Sequence, residues 1–105
     1  MKIPHCYTTA ALASGVAFTS DWQYHTSRWL HGTVNPDQAS AAEGFVIQQS
    51  PDGTAVTHEA KRTVAANQNL AFDIQLYSRW VRIVYTNGAL DQATFSLEAS
   101  LVGEA

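Results

Sequence analysis

The side chains with the most chemistry in this 105-residue sequence are four histidines, nine carboxylates and one cysteine. Metal binding and general acid–base catalysis need such groups at spacings that bring them to one face of an element. His5, His25, His31 and His58 show neither His-x-x-x-His nor Glu-x-x-His spacing. His58-Glu59 comes nearest to a metal-like pair, but neighbours in a strand point to opposite faces. Asp52-Gly53 begins like a calcium loop, yet no carboxylates follow at alternate positions, so turn chemistry explains the pair better. Cys6 lies one residue from His5, and sequence neighbours seldom orient one another as nucleophile and base. There is no Gly-x-Ser-x-Gly elbow and no glycine-rich phosphate cradle. The expectation is a non-enzymatic protein with no catalytic residue, no metal site and no cofactor.

Aromatic residues carry more information. Trp22, Tyr24 and Trp29 fall within eight residues, and Trp22 and Tyr24 would share one face of a strand. Such a face can stack on sugar rings, or it can anchor a core or subunit contact, where large rigid aromatics dominate burial. With Ile3 and Tyr7 near the N-terminus, these three are the candidate partner-binding residues.

The elements that must position them are strands. Phe95, Leu97, Ala99 and Leu101 alternate with Thr94, Ser96, Glu98 and Ser100, the period of a half-buried strand. Phe72, Ile74 and Leu76 repeat the pattern. The run from Trp80 to Tyr85 is apolar on both faces, which places it centrally. Phe45 to Gln49 reads as a strand that ends at the turn Ser50-Pro51-Asp52-Gly53, with Thr54 to His58 as its hairpin partner. Weaker strands are expected over Ala17 to Gln23, Trp29 to Val34 and Lys61 to Ala65. Segment 35–44 is a polar, small-residue insert with room for a brief helical turn. Roughly seven or eight short strands with turns between them predict an all-β, antiparallel β-sandwich. Residues 1–10, without clear alternation, read as an N-terminal arm, and 11–105 as one domain.

Composition bounds the partners. Charged residues make up 14% and the formal net charge is −3, so the scattered cations form no phosphate-neutralising patch and direct nucleic-acid binding is not expected. A lone cysteine makes no internal disulfide. Pro4, His5, Ser14 and Gly15 break what would otherwise resemble a secretory signal, and no stretch reaches the roughly 18 apolar residues of a membrane span. The sequence therefore reads as soluble and unprocessed, with no membrane partner.

The succession Ala11-Leu12-Ala13-Ser14-Gly15 with Phe18 and Trp22, then Asp37-Gln38, then Phe45 to Gly53, and finally Arg79 to Gly88 with Gln92 and Phe95 to Leu97, resembles small β-sandwich proteins of tailed bacteriophages. The resemblance covers about residues 11 to 101. Two features depart from that pattern: the insert Ala39 to Glu43, and Trp80 where tyrosine is commoner. The resemblance implies a jelly-roll-like fold and a virion structural role, chiefly as a capsid decoration (cement) protein, made in the host cytoplasm. The implied partners are the major capsid protein or other virion subunits, and further copies of the chain in a homo-oligomer. A start at Met1 and an end soon after the last strand favour the stand-alone decoration protein. The alternative is a tail or fibre module that binds a receptor or carbohydrate.

Overall fold

The structure, a computed structural model, describes residues 5–9 and 11–104. Among them are nine strands and no helix: β1 (His5–Thr9), β2 (Ala17–Thr19), β3 (Gln23–Tyr24), β4 (Ser27–Pro36), β5 (Ser40–Ser50), β6 (His58–Arg62), β7 (Leu70–Gln75), β8 (Trp80–Asn87) and β9 (Phe95–Glu104). One sheet has the order β1-β9-β4-β7, and the other β2-β8-β5-β6 with β3 also on β8. Every pairing is antiparallel. The protein is an all-β sandwich.

The alternating residues face inward as their spacing requires. Val81, Ile83 and Tyr85 of β8 and Phe95, Leu97 and Ala99 of β9 have no exposed surface, and Leu30, Val34, Phe45 and Ile47 meet them from β4 and β5. Tyr85 and Phe95 pack with ring centroids 4.5 Å apart, and Phe45 and Phe72 at 5.1 Å. Ile74 and Leu76 are only half-buried, because Ile74 is in the edge strand β7 and Leu76 lies just past its end.

Four local expectations change. Of the expected arm over residues 1–10, His5–Thr9 is a strand, paired from His5↔Ser100 to Thr9↔Ser96. An edge strand takes its ladder from its neighbour and so needs no apolar alternation of its own; residues 1–4 and 10 lie outside the described residues. The weak strand over Ala17 to Gln23 is split into β2 and β3. Between them Ser20 keeps the contact with β8, its N–H donating to the Ile83 carbonyl and its Oγ accepting the Ile83 N–H, both at 2.9 Å. The insert at 35–44 holds no helical turn: β4 runs to Pro36 and β5 starts at Ser40, with a bulge before Phe45 where Glu43 adopts φ 52°. The bulge bends the strand as the chain changes sheets. The return strand begins at His58 rather than Thr54, because Ser50 and Asp52 hold the intervening backbone in a turn.

Candidate functional site

The registers Ser50↔Trp80, Tyr24↔Trp80 and Trp29↔Gln75 gather three connections at one end of the sandwich: residues 25–26, 51–57 and 76–79. Six large apolar side chains are prominently exposed among the described residues, and four are at or beside this end: Tyr24, Trp29, Val56 and Tyr77. Tyr77 is the most open, at 66%. Loops on a rigid sandwich are where such modules carry binding residues.

Each connection is held by side-chain capture of backbone groups. Ser50 Oγ accepts the N–H groups of Asp52, Gly53 and Thr54, and Asp52 Oδ1 accepts those of Thr54 and Ala55 at 2.8 and 2.9 Å. The Ala55 and Thr54 N–H groups and the Ser50 hydroxyl hold the Asp52 carboxyl below its usual pKa. Gly53, at φ 80°, lets this turn lie close to the Trp80 indole. Gln49, 3% exposed, fixes the third connection: its Oε1 accepts the Tyr77 and Ser78 N–H groups at 2.7 and 3.1 Å, and its Nε2 donates to the Gln75 carbonyl at 3.1 Å. Tyr77 is thereby turned outward, stacked on His58 with centroids 5.2 Å apart and its hydroxyl donating to Gln75 Oε1. Two backbone bonds, His25 N–H to the Arg79 carbonyl and Leu76 N–H to that of Arg28, tie the first connection and the start of β4 to the third.

Two clefts flank Tyr77. The larger, about 470 Å³, opens between β6 and β7 and is lined by Gln49, Thr57, His58, Glu59 and Asp73. The smaller, about 180 Å³, is lined by His25, Ser27, Arg28, Ser78 and Arg79. His25 is buried; its Nδ1 accepts the Ser27 N–H at 3.0 Å, and its Nε2 has no hydrogen-bond partner. Burial lowers its pKa, with Arg79 adding to that effect and the backbone of Ser78 and Ser27 opposing it. The arrangement suits binding: an open aromatic ring with carboxylates on one side and guanidinium groups on the other.

The chain matches the family model described as "Uncharacterised protein YqxG N-terminal domain" over residues 2–102. It belongs to the YqxG N-terminal domain family. This YqxG-type domain is also similar in structure to the PBSX exported protein XepA, with a TM-score of 0.82 and 26% sequence identity over 96% of its own length. It spans 37% of the XepA chain. No curated protein matches it.

Within this YqxG-type domain the sequence-predicted residues fall in different places. Trp22 lies under the Arg82 guanidinium, 4.5 Å from the ring centroid, and Tyr24 meets Trp80 edge-on at 5.5 Å, so these two share the outer face of the second sheet. There Arg82 donates to Gln48 and Gln48 to Glu59, a polar row across three strands. Trp29 stands apart on the first sheet, beside His31. Tyr7 is in edge strand β1, opposite Glu98, and Ile3 lies outside the described residues. His31 is paired with Asp73 at 2.9 Å, and among the described residues no three His, Cys, Asp or Glu side chains gather as metal ligands do. Sequence reasoning missed Gln49, Tyr77, His25, Arg28 and Arg79. The one available sign was Tyr77-Ser78-Arg79, an aromatic and a cation in the short connection between two strong strands.

Proposed function

We propose that this domain is a phage-encoded, non-enzymatic jelly-roll module that works by recognition, using the end of the sandwich around Tyr77. The observation that carries the reading is the open Tyr77 ring between the two clefts, with Tyr24, Trp29 and Val56 exposed at or beside the same end. Exposed tyrosine and tryptophan interspersed with Ser, Thr and Arg is the composition of binding surfaces, where rigid aromatics add contact area at little entropic cost. The jelly-roll reading is supported by the strand order, β1-β9-β4-β7 in one sheet and β2-β8-β5-β6 in the other, with the short β3 following β2 along the same edge of β8. Phage association is supported by the likeness to XepA, an exported protein of the phage PBSX. An exported relative suits a module that meets a receptor or surface polymer outside the cell, as in the tail or fibre alternative.

Capsid decoration is the second reading, with the major capsid protein and further copies of the chain as partners. Val16 and Leu90, 45% and 62% exposed at the opposite end, favour it, because a cement subunit needs contacts on more than one side.

The two readings separate on particles and envelopes. Under the recognition reading, the purified protein binds envelopes of the host bacterium, and Tyr77→Ala weakens binding by roughly thirtyfold, the loss expected of an aromatic hot spot, without changing the melting temperature appreciably. Particles lacking the protein that keep their adsorption but release DNA on mild heating would replace this reading with capsid decoration.

A further inference from the structure

Of the four arginines in the chain, Arg28 and Arg79 line one small cleft. Among the described residues, neither guanidinium has an ion-pair or hydrogen-bond partner. In a chain with only six Lys and Arg and a formal net charge of −3, two arginines lining one cleft concentrate positive charge there. An anion within reach of both arginines gains charge-assisted hydrogen bonds there.

Resting on the recognition reading above, we propose that the cleft between Arg28 and Arg79 takes the carboxylate or phosphate group of an acidic sugar whose ring lies on the open face of Tyr77. A volume of about 180 Å³ corresponds to roughly six water molecules. That is room for an oxyanion and part of a ring. One face of Tyr77 is taken by His58 while the residue stays 66% exposed, so the opposite face is available for stacking against a ring. Across Tyr77 the larger cleft presents Asp73, Glu59 and Thr57, groups that accept hydrogen bonds from sugar hydroxyls. The same carboxylates repel a run of acidic residues, which disfavours an acidic peptide and fits a ring with one anionic substituent. The opposed charges on the two sides of Tyr77 fix which way round the sugar sits.

The test is a titration followed by NMR on the native protein, with glucuronate, glucose 6-phosphate, glucose and inorganic phosphate as probes at millimolar concentration. The acidic sugars are expected to shift the Arg28 and Arg79 Nε–H signals together with the Tyr77 amide, and to bind at least about tenfold more tightly than glucose, the effect of a charge-assisted contact. Arg79→Gln and Arg28→Gln, both at exposed positions, should each remove most of that advantage. Equal binding of glucose and glucuronate overturns the anion site, and equal binding of phosphate and glucose 6-phosphate overturns the part played by the sugar. Envelope binding that survives both arginine substitutions but not Tyr77→Ala would remove this inference alone. Survival through all three would remove the recognition reading as well.

Discussion

Gln49 makes the site, so replacing it tests the argument at its root. In Gln49→Leu the Tyr77 and Ser78 N–H groups and the Gln75 carbonyl lose their partners at once. Three hydrogen bonds at about 0.5 to 1.5 kcal/mol each, with some re-solvation of the partly buried groups, total about 2 to 4 kcal/mol. For a domain of this size that lowers the melting temperature by about 10 to 20 °C. Gln49→Glu sharpens the test. An ionised carboxyl still accepts the two N–H groups but turns its second oxygen on the Gln75 carbonyl, whereas a protonated one donates there as the amide does. The folded-state pKa of the introduced carboxyl is therefore raised. Its stabilising contribution is complete below the unfolded value of about 4.3 and is lost as pH rises through the folded value. Urea unfolding at pH 4 and pH 7, with hydrogen exchange at the Tyr77 and Ser78 amides, measures both effects. A loss under about 0.5 kcal/mol in Gln49→Leu, with those amides as protected as before, would show that Gln49 does not hold the connection.

Two further outcomes follow from burial. Phe95→Ala removes a fully buried ring packed on Tyr85 and Phe18 and should cost about 3 to 5 kcal/mol; a urea-measured loss below about 1 kcal/mol would mean that the sandwich interior is elsewhere. His25 has a folded-state pKa below its ordinary 6.5, so the unfolded chain binds the extra proton first. Its contribution is complete above about pH 6.5 and falls away as pH drops from there toward the folded value. His25→Gln should flatten the stability profile in that window, and parallel profiles for the two proteins would contradict the assignment.

Strand identity and core facing were legible in the residue order, because a pleated strand repeats every two residues and its apolar face must be covered. Phe95, Leu97 and Ala99, and Val81, Ile83 and Tyr85, declare their inward side with no knowledge of their neighbours. Edge strands were less legible: β1 exists because β9 offers it a free ladder, and no pattern within His5–Thr9 announces that. The split between β2 and β3 likewise rests on Ser20 meeting Ile83, 63 residues away in sequence. The binding end was the least legible of all. Trp22, Tyr24 and Trp29 are close in sequence, yet Trp29 belongs to the other sheet. Arg28 and Arg79 are 51 positions apart and line one cleft. Periodicity is a local property of the chain and can be read along it. Which side chains converge at the end of a sandwich depends on strand order and register, which arise only when two sheets close over a common core.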